Sequence, residues 1–476
     1  MLFPTAQFAL FFLVVLSASW AVRRNRTLQK WFLLGASYFF YGFMNWRFLG
    51  LLVASSVLNY AAGEAVVRTG DRFRRRMWLI AGVLSNVCLL GFFKYYNFFQ
   101  ENVADLAAFL GLQAHLPLLE MILPVGVSFY TFQGMAYVID LHAGRGYRAG
   151  SLLDFLVFMS FFPKLLMGPI CRSKDLLPEL AREAPKSMPD LSMAVTLIVS
   201  GLFKKMLLAA YLETHLVGGA FISPENYSSV ELLVAMYAYT AMVYCDFSGY
   251  TDMARGIGLL LGFRLPENFN APLAATSIGD FWRRWHMTFS SWLRDYIYFP
   301  LGGSKVPRMR TYLNLMLTFL AAGLWHGADW KFVVWGAIHA VALVAYKASL
   351  DIRRDLGIDP ERPRPWWYML LGWFVTLTVC ASARIFFRSP DIQTAGLFIS
   401  GLLDFTADGR GVELAVVLMT AFAIGLNFYG CHIRDAFSRL HEQIPVLLRP
   451  PAWAAIAVAV VTLRPSDVAP YIYFQF

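Results

Sequence analysis

Charged side chains are scarce in this sequence. Asp, Glu, Lys and Arg make up 15% of its 476 residues, whereas 58% of the residues are hydrophobic. Soluble globular domains contain about 25% charged and about 45–50% apolar residues, so this composition excludes an ordinary soluble protein. The net charge of +10 does not indicate nucleic-acid binding, because Lys and Arg are expected at the interfaces of a membrane protein.

The sequence also lacks the motifs of several kinds of catalytic centre. Its five cysteines are scattered, without CxxC or paired Cys/His spacing, so neither a disulfide framework nor a zinc site is predicted. No GxSxG, HExxH or P-loop motif occurs. Serine-triad hydrolysis, zinc catalysis and ATP hydrolysis are therefore not supported, and we expect no metal and no tightly bound cofactor.

Long apolar runs, by contrast, are abundant, and crossing a bilayer takes about 20 mostly apolar residues. The runs predict an all-α polytopic membrane protein with about eleven transmembrane helices, plus re-entrant and interfacial helices. The basic loops 23–30 and 68–76 are expected on the cytoplasmic side. We expect one integral-membrane domain, 1–476, in three parts: N-terminal helices (1–115), a catalytic core (116–350) and C-terminal helices (351–476).

The most informative polar residue is His326, in the segment GLWHGADW. No charged residue occurs from Thr311 to Trp325 before it, and ionisable groups inside a membrane are costly and usually functional. Gly327 is expected to end the preceding helix, and Asp329 to cap the next one. His326 would then lie at a helix break. Burial there favours a neutral imidazole that can accept a proton, whereas the helix C-terminus favours imidazolium, and both charge states stay open.

A second unusual segment is DFWRRWHMTFSSWLRDYIYFPLGG, residues 280–303. Its aromatic residues repeat with helical spacing, which predicts one continuous helix at the membrane interface, capped by Asp280. These aromatic residues are Trp282, Trp285, Phe289, Trp292, Tyr296 and Phe299. His286 follows Arg283 and Arg284, where an anionic ligand can dock, and is therefore a second candidate for a functional histidine.

Two further polar residues interrupt apolar helices. Asp246, within 244–272, belongs either to an internal polar network or to a ligand site, and both interpretations stay open. His339 lies thirteen residues after His326, and we expect it to be a structural residue of the following helix.

Taken together, these segments resemble the membrane-bound O-acyltransferase family. The resemblance rests on FWRRWHMTFSSWLRDYIYFPLGG and AGLWHGADWKFVVWGAIHA, and on LPVGVSFYTFQGMAYVIDLHAG, FFPKLLMGPI and DFSGYTDMARGIGLLLGFRLPENFNAP. It runs from about residue 30 to 345, with fainter similarity in 383–391 and 471–476. Within the family, the chain looks most like the bacterial branch that O-acetylates alginate.

The resemblance implies a curved, multi-helix membrane fold that thins the bilayer into opposed funnels. The catalytic histidine of the family falls on His326, and the second motif histidine falls on His286. An acyl donor, by analogy acetyl-CoA, would enter from the cytoplasm. The acceptor would be a hydroxyl of an exopolysaccharide such as alginate, reached with a periplasmic hydrolase-like partner of the SGNH type. The protein would lie among the lipids of a bacterial inner membrane.

In that chemistry, a neutral His326 would take the proton of the acceptor hydroxyl. The oxyanion that forms needs donors, for which His286, Asn314 or backbone N–H groups are candidates. Arg283 and Arg284 would meet the phosphates of CoA. The other residues expected to contact substrate are Trp285, Trp325 and Asp246.

Two other functions are alternatives. In the first, the cargo is a D-alanyl group, which passes from a carrier protein to teichoic acid and requires a carrier-docking site on the cytoplasmic face. In the second, the protein is a transporter or flippase for a polysaccharide precursor. That function would show substrate flux without acyl transfer, and the flux would survive the substitution His326→Ala.

Overall fold

The computed structural model describes residues 3–112, 122–183, 187–188, 190–359, 364–404 and 411–463. These residues form helices and no β-strand, which confirms the all-α prediction. The α-helices are, in chain order, α1 (Ala6–Ala21), α2 (Arg26–Asn45), α3 (Leu49–Arg68), α4 (Arg72–Leu90), α5 (Tyr96–Phe109), α6 (Val127–His142), α7 (Leu152–Ser160), α8 (Phe162–Leu165), α9 (Ser173–Ala181), α10 (Leu191–Leu202), α11 (Ala210–Leu212), α12 (Gly218–Ala220), α13 (Ser229–Leu260), α14 (Ile278–Arg284), α15 (Met287–Leu293), α16 (Arg308–His326), α17 (Trp330–Asp355), α18 (Trp366–Arg388), α19 (Ile392–Leu403), α20 (Leu414–Gln443) and α21 (Arg449–Leu463).

Several of these helices are suited to a bilayer. Within the described residues, six helical stretches are long and apolar enough to cross one: Arg26–Arg68, Arg72–Phe109, Leu191–Ala220, Ser229–Leu260, Trp330–Asp355 and Trp366–Arg388. A seventh is counted if the bent pair Leu414–Gly430 and His432–Gln443 forms one span. The protein is therefore a multi-pass membrane protein, whereas the count of about eleven spans and the funnel-shaped fold stay predictions.

The chain divides into two compact units. The first comprises Met1–Val195 with Met253–Pro266, and the second comprises Thr196–Asp252 with Glu267–Phe476. The single domain expected from the sequence stays a prediction. The predicted boundary between the N-terminal helices and the catalytic core, at 115/116, lies outside the described residues. The predicted boundary between the core and the C-terminal helices, at 350/351, falls inside α17. The segment 471–476, which resembles the family, also lies outside the described residues.

In the first unit, α3, α4 and α6 pack against one another around a buried amide pair. The side-chain amide of Asn86 donates to Asn59 Oδ1 at 2.8 Å, and that of Asn59 donates to Asn86 Oδ1 at 3.2 Å. Paired amides satisfy each other where water is excluded, so this contact fixes the register of the helices.

In the second unit, α16 and α17 form a tightly packed helical hairpin. The backbones approach so closely that a Cβ atom on Gly323 would overlap the carbonyl oxygen of Phe332. α16 ends at His326 because Gly327 adopts an extended backbone, and the Asp329 side chain caps α17 by accepting from the Lys331 N–H at 2.9 Å. The predicted roles of Gly327 and Asp329 are both confirmed.

The continuous interfacial helix predicted over 280–303 is wrong. The segment forms two short helices, α14 and α15, because His286 between them has the left-handed φ of 43°. Ser277, not Asp280, caps α14, since its side chain accepts from the Asp280 N–H at 3.1 Å. Most of the aromatic stripe packs inside the protein rather than at an interface, and the buried members are Trp282, Trp285, Phe289 and Trp292.

Candidate active site

His326 lies at the corner between α16 and α17 and is 6% exposed. Its ring centroid is 4.9 Å from Trp325, 4.8 Å from Trp335 and 5.1 Å from Phe387. An imidazole in its neutral form can accept a proton. The carbonyl end of α16 would stabilise the imidazolium that forms when it does so. This placement suits a general base.

His326 also faces a cavity of about 30 Å³ in the second unit, here called the His326 cavity. A cavity of that size holds about one or two water-sized groups. Helices α13, α14, α16, α17 and α18 contribute its walls, together with Trp285, which directly follows α14. The lining residues are Tyr239, Val243, Phe247, Phe281, Trp282, Trp285, His326, Trp335, His339, Arg384 and Phe387.

His339, Arg384 and Tyr239 line the His326 cavity and were not predicted from the sequence as site residues. His339 is 2% exposed, and its ring centroid is 4.8 Å from that of Trp335, one turn earlier on α17. Arg384 is 6% exposed, and its guanidinium lies 4.8 Å from the ring centroid of Trp285. An arginine within the apolar helix α18 was the available signal, because charges inside membrane helices are usually functional.

His286 lies in a different environment. Its Nδ1 is 3.1 Å from Asn268 Oδ1, which also accepts from the Thr288 N–H at 3.2 Å and from the Thr288 hydroxyl at 2.9 Å. Because a backbone N–H can only donate, the Asn268 atom is an acceptor, and His286 Nδ1 must carry the hydrogen. Among the described residues, His286 Nε2 is buried without a hydrogen-bond partner.

Aromatic rings separate the two candidate histidines. The His286 ring is enclosed by Phe247 at 4.8 Å, Phe289 at 5.0 Å and Trp325 at 6.2 Å, measured between centroids. Phe289 is in turn 5.6 Å from His326, so it lies between the two imidazoles. His286 is not among the residues that line the His326 cavity. The structure therefore brings the two rings near each other without placing them at one reacting atom.

Three residues expected to bind substrate have other contacts. Arg284 donates to Asp280 at 2.8 Å, and Arg283 lies 3.5 Å from the same carboxylate with its side chain 69% exposed. The side-chain amide of Asn314 donates to two backbone carbonyls, at 3.1 and 3.2 Å, in the loop before α16. Asn314 thus holds that loop, and Arg283 is the more accessible of the two arginines.

Asp246 forms a buried ion pair on α13. Its partner is Lys205, in the π-helical segment Phe203–Ala209, and the neighbouring Lys204 pairs with Asp252 at 2.5 Å. Buried charges that are paired stabilise a defined packing, which favours the polar-network interpretation of Asp246. In the described chain, no group of three or more His, Cys, Asp or Glu side chains is arranged to hold a metal ion.

The chain is similar to proteins of known activity. Residues 148–381 match the model of the membrane-bound O-acyltransferase family. The chain is 36% identical to a probable alginate O-acetylase of Pseudomonas aeruginosa, over 85% of this chain and 75% of the relative. It is 34% identical to a peptidoglycan O-acetyltransferase of Helicobacter pylori, over 80% and 75%. It is also 30% identical to a teichoic acid D-alanyltransferase of Bacillus subtilis, over 58% and 72%.

Proposed function

This chain belongs to the membrane-bound O-acyltransferase family and is an O-acyltransferase, and on that premise we propose that it transfers an acetyl group from acetyl-CoA to hydroxyl groups of an exopolysaccharide such as alginate. One observation carries the proposal: His326 lies at a helix corner and lines a small cavity whose lining residues are buried and mostly aromatic. A neutral imidazole at the edge of a cavity with aromatic walls is suited to deprotonate a hydroxyl.

The reaction would run as a single displacement at the thioester. The acceptor oxygen attacks the carbonyl carbon while His326 takes its proton, and the carbonyl oxygen becomes an oxyanion. When the tetrahedral intermediate collapses, the C–S bond breaks and the imidazolium returns the proton to the departing CoA thiolate. His326 therefore ends the cycle in the neutral form in which it began.

We place the donor on the cytoplasmic side and the acceptor on the periplasmic side of a bacterial inner membrane. Arg283 would contact the phosphates of CoA, since its side chain on the cavity-lining helix α14 is 69% exposed, compared with 35% for Arg284. Where a periplasmic SGNH-type partner completes transfer to the polysaccharide, the hydroxyl deprotonated by His326 would be that of the intermediate acceptor that passes the acetyl group on. The similarity to alginate and peptidoglycan O-acetylating enzymes supports both the acetyl cargo and the extracytoplasmic acceptor.

The D-alanyl alternative keeps the acyl-transfer chemistry and changes the cargo, the donor and the acceptor. It is supported by similarity to a teichoic acid D-alanyltransferase, which extends over a smaller part of this chain than the similarity to the O-acetylases. Membership of an acyltransferase family argues against the transporter alternative, because that function explains no intramembrane base.

The test is acyl transfer by the purified protein in lipid vesicles. Acetyl-CoA labelled in the acetyl group is supplied with alginate oligomers, with and without an SGNH-type partner, and both CoA thiol release and label on the polysaccharide are measured. We expect transfer by the wild-type protein, none by His326→Ala, and normal transfer by His215→Ala. His215 is a matched control because it lies outside the cavity, 3.3 Å from Glu413.

The outcomes separate the candidate functions. Transfer from a D-alanyl carrier without any use of acetyl-CoA would replace the donor that we propose. Full acetyl transfer by a folded His326→Ala protein would remove the proposed base.

A further inference from the structure

Two residues that line the His326 cavity carry hydrogen-bond donors with no acceptor among the described residues, and His339 Nδ1, which donates or accepts according to its tautomer, likewise has no partner there. Tyr239 Oη and Trp282 Nε1 are both buried, and neither has a hydrogen-bond partner among the described residues. A buried polar group without a partner costs about 1–3 kcal/mol, so it persists where function requires it. Their position on the wall of a cavity indicates that the missing acceptor is a ligand atom.

A guanidinium completes the polar wall. Arg384 stacks over Trp285 at 4.8 Å and lies 5.6 Å from the ring centroid of Phe281, so these rings hold its plane in place. The lining residues of the cavity include no Asp or Glu. The cavity therefore combines a fixed positive charge with two neutral donors, a composition that is suited to an oxygen atom with negative charge.

One aromatic ring contacts both the base and one of the donors. The Trp335 ring is 4.8 Å from His326 and 5.9 Å from Trp282, so it connects the two sides of the cavity. With room for about one or two water-sized groups, the cavity accommodates a carbonyl oxygen and not a whole acyl-CoA. From this arrangement we propose that Tyr239, Trp282 and Arg384 form the oxyanion site of the reaction.

The inference rests on the proposed acyl transfer and adds the residues that stabilise its charge. As the acceptor oxygen bonds to the carbonyl carbon, the π electrons move onto the carbonyl oxygen, which accepts hydrogen bonds from Tyr239 and Trp282 near the Arg384 charge. When the C–S bond breaks, those electrons re-form the carbonyl and the donors release it. Donors fixed in advance stabilise the transition state more than the substrate.

Tyr239→Phe is the cleanest test because it removes one hydroxyl and keeps the ring. Removal of one oxyanion donor lowers kcat by about 100-fold, and KM for the donor should stay unchanged. Thermal stability should be unchanged or higher, because a buried hydroxyl without a partner is lost. A structural role would instead lower stability and spare kcat.

Matched controls exist elsewhere in the chain. Tyr130 Oη on α6 is also buried and has no partner in the described part of the chain, so Tyr130→Phe should match the stability effect and leave kcat unchanged. Trp282→Phe is compared in the same way with Trp453→Phe, whose Nε1 also lacks a partner among the described residues. Arg384→Met should lower kcat by at least as much as Tyr239→Phe, and Arg384→Lys should restore part of it.

Both thioester donors, acetyl-CoA and a D-alanyl carrier, are assayed with each variant. Loss of kcat at constant KM with whichever donor the wild-type protein uses supports the oxyanion site. Equal kcat values for Tyr239→Phe and Tyr130→Phe would overturn it. Failure of the wild-type protein to use acetyl-CoA while it uses the D-alanyl carrier counts against the proposed donor alone.

Discussion

His326 and His286 occupy neighbouring but dissimilar surroundings. His326 ends a long helix, faces a cavity and shares that cavity with a guanidinium. His286 stands between two short helices in a left-handed backbone conformation, and its Nδ1–H is held by Asn268. The first arrangement presents an imidazole to a reacting group, whereas the second fixes an imidazole within the protein.

The two histidines have similar neighbours in the sequence but different surroundings in the structure. Both histidines are flanked by tryptophan, and both look like intramembrane ionisable groups in the sequence. In the structure, only His326 shares its cavity with polar groups that can act on a substrate, and Phe289 lies between the two rings. We therefore propose proton transfer for His326 and a positioning role for His286.

The largest expected effect comes from exchanging each histidine for glutamine, which keeps a polar side chain without a base. His326→Gln should lower kcat by about 10³-fold with little change in thermal stability, because general-base catalysis contributes about 10²–10⁴-fold. His286→Gln should lower kcat about tenfold and also lower the unfolding midpoint, because the contact with Asn268 is lost. Steady-state kinetics and thermal unfolding in detergent measure both. The reverse ranking would exchange the two roles.

The next effect concerns the helix corner that positions His326. Gly323→Ala should lower the free energy of unfolding by about 3 kcal/mol, because the new methyl group meets a backbone oxygen of α17 that cannot rotate away. Gly425→Ala on α20 is the matched control, since no heavy atom lies within 4 Å of its added Cβ, and it should be neutral or stabilising. Equal unfolding midpoints for the two variants would mean that the hairpin does not depend on this close approach.

A smaller effect is expected at the other histidine. Asn268→Ala removes the acceptor of three hydrogen bonds, two from Thr288 and one from His286, and should cost about 1–2 kcal/mol of stability. The activity of the folded fraction should fall less than in His326→Gln. Asn427→Ala, which removes one acceptor from the Leu273 N–H, controls for loss of a buried amide. An activity loss as large as that of His326→Gln would give His286 a direct part in the reaction.

The sequence predicted those structural features that depend on interactions between residues close together in the chain. The helix break at His326 was predictable because Gly327 and Asp329 act within a few residues of it. The break at His286 was not, because it depends on Asn268, eighteen residues earlier in the chain. An aromatic repeat at helical spacing cannot reveal a left-handed residue in its middle, so the predicted interfacial helix was wrong.

The residues that line the His326 cavity could not be predicted from the sequence for a related reason. Its walls come from helices that are far apart along the chain, so Tyr239 on α13 and Arg384 on α18 meet only after folding. His339 was expected to be a structural residue, yet it faces the same cavity as His326. Spacing identifies the face of one helix, whereas a site of this kind depends on which faces meet.

The smallest expected effect tests whether the surface beside His286 still serves the donor. Arg283 is exposed and shares Asp280 with Arg284, so its contact with a CoA phosphate would be screened and worth less than 1 kcal/mol. Arg283→Gln should therefore raise KM for acetyl-CoA about two- to fivefold at low ionic strength and leave kcat unchanged. The increase should vanish at high salt, and Arg439→Gln, an exposed arginine on α20, should show none. An unchanged KM at low salt would move the donor phosphates away from α14, and the His286 region would then contribute packing alone.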